Sequence, residues 1–188
     1  MPVSEKTSTT AEQASGASSR IGLQILVFFE LLLLSVWLGS MIFFSFAVAP
    51  SAFAVLPTRE LAGAMVTSTI GKVEVLGLVI GPLLILVQAA SWRATHSSKL
   101  TKSLRVILVL VMIAAAALSR FWISPQMVSL RAAMGGQIDD VPLTDPARMH
   151  FNNLHQYSVS LMGTAMIAGL IVLFLTVRSW RARDAIPR

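Results

Sequence analysis

Residues 21–48 read IGLQILVFFELLLLSVWLGSMIFFSFAV, a run of 28 positions carrying one charge, Glu30. A helix rising 1.5 Å per residue needs about 20 apolar residues to cross ~30 Å of hydrocarbon, so this stretch predicts a membrane-spanning helix. Three more follow from the same count. Residues 70–92 form the second, with Lys72 and Glu74 near its start and Gly81-Pro82 predicting a kink. Residues 104–123 form the third, with Arg105 and Arg120 placed near its ends, where long side chains snorkel to the interface. Residues 146–180 form the fourth, opened by Asp145 as N-cap and Pro146 as the first helical residue. Trp92, Trp122, Tyr157 and Trp180 fall near the expected ends, as an aromatic belt requires. The expected fold class is all-α, an integral membrane four-helix bundle over residues 21–182. A flexible, Ser/Thr/Ala/Gly-rich tail is expected over 1–20 and a short tail over 183–188.

The composition agrees with this reading. The chain is 55% hydrophobic and 13% charged, against roughly 25% charged in soluble proteins, so its surplus apolar surface calls for lipid. The absence of cysteine excludes disulfides, thiolate-held zinc and iron–sulfur clusters. The net charge of +6 is unevenly placed. The N-terminal tail, the second loop and the C-terminus collect Lys6, Arg20, Arg93, Lys99, Lys102, Arg105, Arg178, Arg181, Arg183 and Arg188. The first and third loops with their flanks hold Arg59, Lys72, Arg120, Arg131 and Arg148. Because cytoplasmic segments collect basic residues, both termini are expected in the cytoplasm. The same placement accounts for the basic residues without a nucleic-acid partner.

In the third loop, Met127, Leu130 and Met134 recur at helical spacing, which predicts a short amphipathic helix over 126–134 lying on the outer leaflet and stopped by Gly135-Gly136. Small residues offer close helix contacts at Ser35 and Gly39, Gly77 and Gly81, Ala114 to Ala117, and Ala165 and Gly169.

The stretch Trp37-Leu-Gly-Ser-Met-Ile-Phe-Phe-Ser-Phe-Ala-Val-Ala-Pro50, with Phe53 and Leu56-Pro57, resembles the opening segment of bacterial proteins similar to transmembrane protein 205. Ser124 to Arg131 and Phe151-Asn-Asn-Leu-His155 with Ser158 agree with it. The resemblance implies a four-helix membrane fold and a multi-pass location in the bacterial inner (plasma) membrane. It brings a domain of unknown function and no activity.

Charged side chains at membrane depth cost ~2.5 kcal/mol or more, so each needs a partner. Glu30 and Arg105 are expected to pair at one side of the bundle. Glu74 is expected to pair with Arg120 at the other, with Lys72 turned to water. His155, Met162 and Met166 follow one another in steps of seven and four, nearly one helix face. Imidazole and thioether suit Cu(I), and one histidine suits a haem or chlorin, so these residues are the candidate metal site and His155 the candidate cofactor ligand. No cofactor can be named. The sequence contains no phosphate loop, no H-E-x-x-H and no acidic pair at catalytic spacing. The expected function is therefore non-enzymatic, an accessory or scaffolding subunit beside other membrane proteins in the bilayer. The alternative is binding or transport of a metal ion or tetrapyrrole at the outer polar layer.

Overall fold

Polar caps, rather than the first apolar residue, set where the helices begin. The computed structural model describes residues 4–93, 97–135 and 138–184. Helix α3 (Arg59–Ser91) starts eleven positions before the expected residue 70, because the Thr58 hydroxyl accepts the Leu61 N–H at 3.2 Å. Helix α4 (Lys99–Leu118) starts before residue 104 for the same reason, with Ser98 accepting from Thr101 N–H. Helix α6 (Pro146–Asp184) opens on Asp145, whose Oδ1 accepts from the N–H groups of Ala147 and Arg148. Helix α1 (Ser4–Phe43) runs back through most of the stretch where composition predicts a flexible tail. Once an apolar span is helical the nucleation cost is met, and Ala, Gln, Glu and Lys extend it one hydrogen bond at a time.

Two π turns interrupt the spans without ending them. Phe44–Val48 joins α1 to α2 (Ala49–Val55), and Ser119–Ile123 joins α4 to α5 (Ser124–Ala133). Each ends two residues before a proline, Pro50 or Pro125. A proline ring clashes with the carbonyl four residues back, and a wider turn relieves the clash while the helix continues. This corrects the expected surface helix over 126–134, since α5 prolongs the third span and packs on α6. Gly135, at φ 71°, ends it, and Gly136 lies outside the described residues. At the first corner Leu56 is extended ahead of Pro57, as a residue before proline must be.

The result is four helices long and apolar enough to cross a membrane: Arg20–Val55, Arg59–Ser91, Lys99–Ala133 and Pro146–Trp180. They form a ring in which each packs on the next and the fourth returns to the first. Only 28% of each apolar window is buried inside the bundle, so outward residues such as Phe28, Leu86 and Phe174 need lipid around them. One end of the ring holds the start of the first span, the end of α3, the start of α4 and the end of α6. We call it the termini end, and the opposite one the loop end.

Small residues position the core. The Trp37 indole lies on Gly77, where a Cβ would come within 2.5 Å of Nε1, and Ile113 lies on Gly81. Gly169 admits Met112 and Leu38. Around these sit Leu34, Leu84, Val109, Ala165 and Val172, all buried. The Ser35/Gly39 face departs from its expected role. Both residues are exposed and a Cβ on Gly39 would touch nothing, so that face is turned to lipid.

Candidate functional site

Toward the termini end, all four spans contribute to one buried polar node. Arg105 donates to both carboxylate oxygens of Glu30, and the pair is 5% and 1% exposed. Gln88 donates to the same Glu30 oxygen at 3.0 Å. The Thr176 hydroxyl lies 3.3 Å from it and 2.8 Å from the Val172 carbonyl, which competes for its proton. Both contacts come from one nitrogen, Nη2, and a charge-assisted pair with further donors is how a low-dielectric interior accommodates a carboxylate. Its four contributors come from four helices, so the node fixes their register.

Glu74 is held differently. The expected ion pair with Arg120 is absent. Arg120 is exposed on the outer face of the π turn, and Glu74 Oε1 instead accepts from the Ser119 hydroxyl and, at 3.3 Å, from Ser124. Residues five apart on an α-helix diverge by about 140°. Here the Ser124 N–H bonds back to the Ser119 carbonyl, and this wide turn swings both hydroxyls onto one carboxylate. Lys72 is exposed. A second cavity of about 30 Å³, lined by Glu74, Ser119, Ser158 and Met162 among others, is of a size for a single water.

The loop end contains a cavity of about 870 Å³ between the first and fourth spans. Helix α6 lines it on one face with Arg148, Asn152, His155, Val159, Met162 and Met166, a stripe covering roughly 27 Å of helix. The first π turn and α2 supply Phe44, Ser45, Phe46, Pro50 and Phe53; α3 supplies Arg59, Glu60, Gly63, Thr67 and Ile70; α5 supplies Met127 and Arg131. The polarity is graded. Arg59, Glu60, Arg131, Asp140 and Arg148 gather toward the loops, whereas Phe44, Ile70, Val159, Met162 and Met166 line the depth toward the bundle centre. Phe46, Phe53 and Val159 are 75%, 52% and 58% exposed, so the cavity is open at the side, between α6 and the first span.

Arg131 is mounted from two neighbouring helices. Its guanidinium lies 2.9 Å from where a Cβ on Gly63 would be, Nη1 donates to the Thr67 hydroxyl at 3.3 Å, and the Phe151 ring lies 5.6 Å away. Among the described residues no carboxylate stands within ion-pair distance of it.

Residues 32–135 match a family described as a domain of unknown function, DUF4149. The chain belongs to that family. No curated protein and no solved structure matches it. The DUF4149 segment includes Glu74, Gln88, Arg105, Ser119, Ser124 and Arg131, while Glu30 precedes it and His155, Met162, Met166 and Thr176 follow it.

The structure brings Glu30 to Arg105 and leaves Glu74 and Arg120 without a direct ion pair, though Arg120 still acts on Glu74 electrostatically. It places His155, Met162 and Met166 along one cavity, where His155 is exposed and Met162 accepts a hydrogen bond from Ser45 at 3.1 Å. His155 shares that cavity with Pro50, and Arg120 is not part of it. Among the described residues no three His, Asp or Glu side chains converge as metal ligands. The sequence reading missed Gln88, Thr176, Ser119 and Ser124 as partners. Their signal was a polar side chain inside a span, which must turn inward. It counted Arg131 only toward topology, and its mount was not legible before α5 was known to pack.

Proposed function

We propose that this is a non-enzymatic multi-pass membrane protein that binds an amphiphilic molecule in the loop-end cavity. The observation that carries the reading is the graded cavity itself. It is within the size range of small-molecule sites, apolar in its depth, charged at its mouth and open toward lipid. The accessory-subunit expectation rests on sparse chemistry together with an exposed amphipathic third loop that could dock to a partner. Because α5 packs on α6 and its Arg131 lies against α3, that face is engaged within the chain and the binding reading takes precedence. The uneven basic residues support an orientation with both termini in the cytoplasm, which puts the cavity in the outer half of the inner membrane. The likeness to proteins similar to transmembrane protein 205 supports the setting and supplies no ligand.

The test is purification in mild detergent, followed by mass spectrometry of the organic extract, an absorption spectrum and metal analysis. Gly163 lines the cavity and a Cβ there would touch nothing, so Gly163→Phe is the substitution chosen to fill the space. The expected result is a co-purifying amphiphile in the native chain and its loss in Gly163→Phe at unchanged thermal stability. Equal extracts from both would reject the cavity as the binding place. One observation favours a second reading: His155, Met162 and Met166 share this wall, so a tetrapyrrole would find an axial ligand there. A visible absorption band lost in His155→Gln would establish that version.

A further inference from the structure

Resting on the amphiphile reading, we infer that Arg131 is the anchor for an oxyanion head group, a carboxylate or phosphate, whose apolar tail lies along Val159, Met162 and Met166. The mount described above is made of uncharged groups: the backbone of Gly63, the Thr67 hydroxyl and the Phe151 face. Of five guanidinium N–H donors, one goes to Thr67, and two parallel donors suffice to grip an oxyanion bidentately. The guanidinium is half-buried on the cavity wall, where Glu60 acts on it from a distance and no carboxylate among the described residues stands in ion-pair range. Glu60, beyond ion-pair distance, offsets the charge of this partly desolvated cation only in part, and an anionic head at the mouth completes the neutralisation while the tail occupies the apolar depth. Gly63 is then a positioning residue, because any side chain there would push the fork out of place. Arg148, also at the mouth, differs in that it donates to the Val141 carbonyl.

The experiment uses the full chain in mild detergent, native mass spectrometry, and probes of equal chain length: a fatty acid, a lysophosphatidate, a monoacylglycerol and an alkyl-trimethylammonium. An anionic probe is expected to bind about tenfold or more tighter than the neutral and cationic ones, the worth of a charge-assisted contact. Whichever anion gains the more separates a carboxylate head from a phosphate. Arg131→Gln should abolish the preference and leave the neutral affinity, and Gly63→Ala should weaken the preference with the fold retained. Equal binding of all probes to the native chain, or a preference that survives Arg131→Gln, overturns the assignment while the cavity reading stands. Binding of no probe overturns both. If Arg131→Gln does not fold, the native probe series and Gly63→Ala still decide.

Discussion

Ser124 donates its backbone N–H to the carbonyl of Ser119, and the two hydroxyls meet on one oxygen of Glu74. A π turn thus supplies one oxygen of a buried carboxylate with neutral donors, where the sequence offered an arginine one residue away. Ser119→Ala should cost about 1–3 kcal/mol, because a buried acceptor loses its closest donor. Ser124→Ala should cost less, its bond being longer, and Arg120→Gln should be near neutral. Thermal unfolding in detergent gives the order. A loss at Arg120 as large as that at Ser119 would restore the ion-pair account.

The Glu30–Arg105 node predicts a different pattern. Removing either partner leaves the other charge buried, so Glu30→Gln and Arg105→Gln should each destabilise by roughly 3–5 kcal/mol. The double variant should recover part of that loss, which a double-mutant cycle measures. Strict additivity would mean the two side chains do not interact.

Two glycines on adjacent spans should respond oppositely to one methyl group. At Gly77 a Cβ would collide with the rigid Trp37 ring, so Gly77→Ala should cost about 1–3 kcal/mol. At Gly39 nothing lies within 4 Å, and Gly39→Ala should be neutral or slightly stabilising through helix propensity. Equal effects would argue against the tryptophan contact.

Orientation is testable because the chain contains no cysteine. Leu100→Cys and Leu143→Cys occupy exposed positions at opposite ends of the bundle. In intact cells an impermeant thiol reagent should label position 143 and spare position 100. The reverse pattern would invert the topology.

Span number and helical class were legible because long apolar runs and helix caps are local properties. Asp145-Pro146 marks the start of α6 for that reason. Thr58 and Ser98 carry the same cap chemistry, but counting apolar residues passes over a polar first turn, so α3 and α4 were read too short. The π turns were hidden. Pro50 and Pro125 were visible, yet whether a proline ends a helix or is absorbed by a wider turn depends on what packs beside it. The cavity wall on α6 was half legible, since His155, Met162 and Met166 share a face by spacing alone. Arg131 was not, because its role depends on Gly63 sixty-eight positions away and on a helix whose direction the sequence left open.

The side opening between the first span and α6 changes what concentration means for this protein. An occupant that enters there arrives by lateral diffusion and never exposes its tail to water. The governing quantity is then its mole fraction in the bilayer, and water solubility is irrelevant to loading. An affinity measured in detergent would scale with the ratio of amphiphile to micelle, so diluting the sample at fixed composition would leave occupancy unchanged, whereas adding empty micelles would strip the site.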